Sequence, residues 1–170
     1  MSGEKPEQGS GTGEPTRPAG TGVASQAGLY GAREAGVEGA GAVAAGKRLK
    51  VLIAENHPDL SEAVARIIDS EPDMRCVGQV PNVTEVLPAA RKSAAEALIL
   101  DLSLQGGSSL QLIEELTTEL PALRIVVFSG LANAEEAARE TKRRGAAEFV
   151  AKGCDFNVLL DALRRGTAAA

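Results

Sequence analysis

Aromatic residues are almost missing from this chain. Tyr30, Phe128, Phe149 and Phe156 are the whole set in 170 residues, and there is no tryptophan. A surface that stacks single-stranded nucleic-acid bases on aromatic rings is therefore excluded. Positive charge is not in excess: 18 basic against 23 acidic residues give a net charge of −5, so no broad cationic face exists to neutralise phosphates and no direct DNA binding is expected. Histidine occurs once and cysteine twice, too few for a four-ligand zinc site without carboxylates. Cys76 and Cys154 also lack the dense, even spacing of a disulfide framework, which fits a reducing compartment. No apolar run approaches the roughly 18 residues of a membrane helix, and no hydrophobic signal core opens the chain. The expectation is a cytoplasmic protein with one small domain and no membrane association.

What is present divides at about residue 46. Twelve of the 19 glycines and three of the eight prolines fall within residues 1–46, with scattered Val and Leu but no apolar period. Such a composition buries too little surface to offset the entropy of ordering, so residues 1–46 are read as a disordered Gly/Ala-rich tail. It would serve as a flexible tether, or it is an upstream extension of the reading frame. Residues 47–170 form the domain.

From Lys47 onward, short apolar runs alternate with helical periods. Lys50–Ala54 reads as a buried strand that meets the polar Glu55-Asn56-His57-Pro58. Leu60, Ala63, Val64, Ile67 and Ile68 then fall on one helical face, with Pro58 suited to its first turn. Met74–Val80 is a second strand. Asn82 opens a helix running to about Ser93, and Pro88 weakens it. Ala97–Leu100 is a third strand ending at Asp101. Ser108 or Ser109 caps a helix carrying Leu110, Ile113 and Leu116. Arg124–Phe128 is a fourth strand ending at Ser129. A polar helix from Asn133 to Arg144 closes on Gly145. Glu148–Ala151 is a fifth strand ending at Lys152, and Asp155 caps a last helix with Phe156, Leu159, Leu160 and Leu163 inward.

Five strand–helix repeats with continuous apolar strands imply an α/β fold, a doubly wound five-stranded parallel sheet of flavodoxin-like type. In such sheets ligands bind beyond the strands' carboxyl ends, near the point where strand order reverses. Glu55, Asn56, Asp101, Ser129 and Lys152 all land there. Carboxylate and amide oxygens of this kind suit Mg²⁺. A carboxylate beside a bound metal can attack a phosphoryl group, with the lysine and hydroxyl holding its oxygens.

The segments VLIAENHP (51–58), LILDLSLQGG (98–107), VVFSG (126–130) and GAAEFVAKG (145–153) resemble the receiver domain of two-component response regulators. The resemblance implies that Asp101 accepts a phosphoryl group from a histidine kinase or a phosphotransfer protein. It also implies that Glu55, Asn56 and Asp101 hold Mg²⁺, that Ser129 and Lys152 contact the phosphoryl group, and that Ser129 and Phe149 form a switch. The chain departs from the family at Asn56, where an aspartate usually binds the metal directly. One charge pair at about 4 Å and an effective dielectric near 20 is worth about 4 kcal/mol before desolvation, so Mg²⁺ binding is expected to be weak.

Three functions follow as expectations. The first is a single-domain response regulator that signals by protein contact to a downstream protein target, not an enzyme, with a homodimer possible through its fourth and fifth helices. The second is a degenerate receiver that binds partners independently of phosphorylation. The third is an aspartate-nucleophile phosphatase, disfavoured because Ser103 stands where the general acid is needed. His57, placed before a proline in a turn, reads as a structural loop residue, and Cys154 as inert packing. Arg139, Lys142, Arg143 and Arg144 read as a solvated helix face balanced by Glu135, Glu136 and Glu140.

Overall fold

The computed structural model describes residues 46–130 and 132–165. The tail expected over residues 1–46 lies outside these apart from Gly46. Five strands and five helices alternate: β1 (Leu49–Ala54), α1 (Pro58–Ser70), β2 (Met74–Val80), α2 (Val83–Ser93), β3 (Ala97–Leu100), α3 (Ser109–Glu119), β4 (Arg124–Ser129), α4 (Ala134–Arg143), β5 (Glu148–Ala151) and α5 (Phe156–Arg164). All neighbouring strands pair parallel, in the order β2-β1-β3-β4-β5. The reversal of winding falls between β1 and β3, so the ends of these two strands flank the crevice that ligands use in open sheets.

Side-chain alternation along each strand divides the core into two layers. Val51, Ile53, Ala97, Ile99, Val126 and Phe128 face α1 and α5. Leu52, Ala54, Leu98, Leu100, Ile125 and Val127 face α2 and α3. Central β3 is buried at every position, whereas edge strand β2 is buried only at its two ends. That contrast explains why the inner strands read as unbroken apolar runs. Each fully buried Leu or Ile contributes about 1.5–3 kcal/mol.

The helices begin and end as their sequences dictate, with two shifts of face. Pro58 sits in the first turn of α1. The Ser108 hydroxyl accepts from the Gln111 amide, and the Asp155 carboxylate accepts from the Asn157 amide. On α1 the buried face is Ser61, Val64, Ala65 and Ile68, while Ala63 is exposed. Small Ala65 lets the helix lie close to the sheet, and the Ser61 hydroxyl is satisfied by Gln79 Oε1 at 2.6 Å. On α3, Leu112 joins Ile113 and Leu116 inside, and Leu110 is only half-buried. Pro88 stays within α2, the helix that follows the β2 edge.

Gly145 ends α4 with φ +108°, and a Cβ there would stand 2.4 Å from Thr117 Oγ1. Thr117 cannot easily yield, because its hydroxyl donates to Ile113 O at 2.7 Å. Gly153 has φ +97° with open space around it. Gly153→Ala should therefore lose about 1–3 kcal/mol from backbone strain alone. Gly145→Ala should lose about 1–3 kcal/mol more from the clash. Urea midpoints are expected to fall in the order wild type, Gly153→Ala, Gly145→Ala, and equal losses would discount the Thr117 contact.

Candidate functional site

Four of the five strands, β1, β3, β4 and β5, deliver a polar side chain at their carboxyl ends. Asp101 follows β3 and is 1% exposed, and Glu55 follows β1 and is 4% exposed at its side chain. Ser129 is the last residue of β4 and is fully buried. Lys152 follows β5, and its side chain is 19% exposed.

These four residues form one connected group. The Lys152 ammonium donates to Asp101 Oδ2 at 2.8 Å and lies 2.6 Å from Glu55 Oε2. Ser129 Oγ donates to Asp101 Oδ1 at 3.0 Å, and the Ser103 amide donates to the same oxygen at 3.1 Å. Burial alone would lower the pKa of Lys152, but its hydrogen bonds to Asp101 and Glu55 outweigh that and hold it above the usual lysine value. Phe149 stands apart, half-buried against the core layer of α2 and α3.

His57, expected to be a structural loop residue, lies beside the group in the turn before Pro58. Its ring Nδ1 lies 2.8 Å from Glu55 Oε1, and its backbone N–H donates to the same oxygen at 3.0 Å. The signal for this was its place two residues after Glu55 with Pro58 behind it, which folds the loop back over the carboxylate. A cleft of about 450 Å³ lined in part by Glu55, Asn56, Ser61 and Gln79 opens beside the group.

The donor set fits a divalent cation on two counts. Two buried carboxylates share one ammonium, which leaves an uncompensated negative charge where the dielectric is low. Asn56 Oδ1 is buried and, among the described residues, has no hydrogen-bond partner, a state that ordinarily costs about 1–3 kcal/mol unless a donor or ion satisfies it. Glu55, Asn56 and Asp101 would supply oxygen ligands to such an ion.

The alternating charges of α4 resolve into ion pairs. Arg144 bonds Glu140 at 2.7 Å and reaches across to Glu114 on α3 at 2.9 Å, and Arg143 lies 3.5 Å from Glu140. No helix among the described residues is long and apolar enough to cross a membrane.

Removing the ammonium strands two buried carboxylates, so Lys152→Met should destabilise the domain by about 3 kcal/mol, the low end for a broken buried pair because the group keeps some solvent contact. A pKa raised by folding contributes stability that is complete below the ordinary lysine value of 10.5 and is lost as pH rises through the folded value. The stability gap between wild type and Lys152→Met, followed by urea unfolding, should stay level to about pH 10 and narrow above it.

Comparison with known proteins matches this architecture. The response regulator receiver domain family matches residues 51–164. The nitrate/nitrite response regulator protein NarL of Escherichia coli K12 is 30% identical over 118 residues, covering 69% of this chain and 54% of NarL. The chain thus spans about half the length of such curated relatives. The isolated REC domain of RcsB from Salmonella enterica serovar Typhimurium, solved with the phosphomimetic BeF3-, superposes with a TM-score of 0.64 at 25% identity, covering 71% of this chain and 91% of that one. The response regulator domain of Thermotoga maritima CheB shares the fold with a TM-score of 0.66 at 20% identity, over 73% of this chain and 99% of that one. With five parallel strands in the doubly wound order and its polar residues gathered at their carboxyl ends, this chain belongs to the response regulator receiver domain family.

Proposed function

We propose that this protein is a response regulator in which Asp101 accepts a phosphoryl group from a histidine kinase or a phosphotransfer protein. The observation that carries the reading is the setting of the Asp101 carboxylate, a buried nucleophile at the sheet's switch point with Ser129 on one oxygen and Lys152 on the other. In the transfer, a carboxylate oxygen of Asp101 forms the new bond to phosphorus. The bond from phosphorus to the donor breaks, and the donor leaves with the electron pair. Lys152 and Ser129 are placed to hold the oxygens of the transferred group. Glu55, Asn56 and Asp101 would hold Mg²⁺, which supplies charge neutralisation at the phosphoryl oxygens when bound. The product adds about −1.5 to −2 charge at this edge, taking an aspartyl phosphate to behave like other phosphorylated side chains. That charge competes for Lys152 and Ser129 and biases β4, β5 and the adjoining helices, Phe149 among them. The signal passes to a downstream protein target by contact, from the cytoplasm, and the receiver domain spans residues 47–170.

Ser103 supports this reading over hydrolysis of phosphate esters. It meets Asp101 through its backbone amide, and its hydroxyl is too weak an acid to protonate a leaving group. Incubation with acetyl phosphate and Mg²⁺ followed by intact-mass spectrometry should give a single phosphoryl adduct that is absent from Asp101→Asn. An adduct that persists in that variant would move the acceptor elsewhere.

A second reading is a degenerate receiver that binds its partner without phosphorylation, and Asn56 favours it. The amide offers an oxygen but no charge, so Mg²⁺ is held less firmly than by a carboxylate. If the metal limits the reaction, Asn56→Asp should raise Mg²⁺ affinity by about tenfold or more, about 1.4 kcal/mol out of a charge pair worth up to 4, and speed adduct formation. Unchanged affinity in calorimetry would remove this explanation of the departure.

A further inference from the structure

We propose that Val83 is a positioning residue for Asp101, acting through its main-chain N–H and the β3–α3 loop. The inference rests on the reading of Asp101 as the acceptor and goes beyond it in tracing what aims the carboxylate to the start of α2.

The first turn of a helix has N–H groups with no partner inside the helix, and a side chain at the N-cap ordinarily satisfies one of them. At the start of α2 the N-cap residue, Asn82, makes no such bond. Its side chain is engaged with Glu85 and Thr84 instead. The Val83 N–H donates across to Gln105 O at 2.9 Å, where Asn82 and Gln105 form an isolated parallel bridge between the two loops. The segment that follows the acceptor thus completes the helix end.

That segment is fastened at successive residues. The Ser103 N–H donates to Asp101 Oδ1 at 3.1 Å, Leu104 is buried in the layer of α2 and α3, and Gln105 holds Val83. Residues 103 and 105–107 are exposed. A Cβ at Gly107 would stand 3.1 Å from Val83 Cγ1, so the loop also runs close past that side chain. Ser103 and Gln105 flank one buried leucine, so a shift of Gln105 is passed to the Ser103 N–H. Water can replace the Val83 N–H at Gln105 O, but it cannot fix where the loop lies. With the Ser103 bond made, Asp101 Oδ1 has two donors and Oδ2 has Lys152, which together set the orientation of the carboxylate. Loss of the Ser103 bond removes one constraint that holds the carboxylate ready for attack.

Proline at position 83 tests this single bond. Asn82 has φ −144° and ψ 160°, the extended backbone that suits a residue before proline, and proline is well placed at the first helical position. Val83→Pro therefore deletes the N–H and little else, whereas Val83→Ala keeps the N–H and trims the side chain. Amide hydrogen exchange of the full chain, read by NMR, should rise about fivefold or more at Ser103 in Val83→Pro and less than about twofold in Val83→Ala, the difference one hydrogen bond makes. The Asp101 N–H, which donates to Ala54 O, and the Leu112 N–H, which donates to Ser108 O, should keep their wild-type rates. Coupling is reciprocal, so Asp101→Ala, which removes the acceptor of the Ser103 N–H, should speed exchange at Val83 by a similar factor. Adduct formation from acetyl phosphate and Mg²⁺ should slow about fivefold or more in Val83→Pro and less than about twofold in Val83→Ala. Four results would overturn the proposal: unchanged Ser103 exchange in Val83→Pro; a rise shared equally by Asp101 and Leu112; unchanged Val83 exchange in Asp101→Ala; or an adduct that forms equally fast in wild type and Val83→Pro. A selective response in both directions with no adduct in any version would support the positioning and overturn the acceptor reading, so the two failures are distinguishable.

Discussion

The Lys152 ammonium between two buried carboxylates is the interaction on which the rest of the site depends. Glu55 and Asp101 sit at the ends of adjacent strands β1 and β3, where they repel each other with little water to screen them. Lys152 arrives from β5, on the far side of β4, and bonds both. The arrangement requires the sheet to keep its parallel order and register, since these bring all three strand ends to one edge. It also leaves the edge one positive charge short. That shortage is the electrostatic setting in which a bound cation would offset the carboxylates and satisfy the buried Asn56 oxygen.

The periodicities carried the fold because the inner strands are buried on both faces and α3 and α5 begin at side-chain caps. Strand boundaries such as Met74–Val80 and Ala97–Leu100 coincide with the observed ones. Helix faces were harder to read. On α1 a serine faces inward because Gln79 can satisfy it, and an alanine faces outward at little cost, so hydrophobicity alone misplaced both. At the site, the polar residues that end apolar runs marked Glu55, Asp101, Ser129 and Lys152. Asn56 stood out as a departure, but that its oxygen is buried without a partner is a fact of packing. The contact of His57 with Glu55 was signalled only by its place two residues on, with Pro58 behind it.

Charge does different work in the two halves of the molecule. At the carboxyl edge it is buried, and removing one partner exposes the others to an uncompensated field. Near the opposite end of the sheet, Arg164 binds Glu71 at 2.6 Å and Asp73 at 2.8 Å, tying α5 to the turn between α1 and β2. The Arg164 hydrogen bond holds the Asp73 carboxyl below its ordinary value. Water reaches these groups, so their attraction is screened and worth little per pair. The buried edge is therefore where a change of one or two charges has conformational leverage.

Helix α4 is built to respond to such leverage. Thr141 is its one buried residue, and it rests on β5 with surface pairs of Arg144 to Glu140 and Glu114 at its end. Displacing it would expose almost no hydrocarbon and would exchange ion pairs for water at small cost. By contrast, α1 and α5 are anchored by several buried side chains each. An element so lightly held needs only a fraction of the energy of a phosphoryl or metal contact at Ser129 or Lys152 to change its preferred seat. The polar sequence of α4 is thus the reason it is lightly held, and it leaves the helix compatible with water on most of its surface.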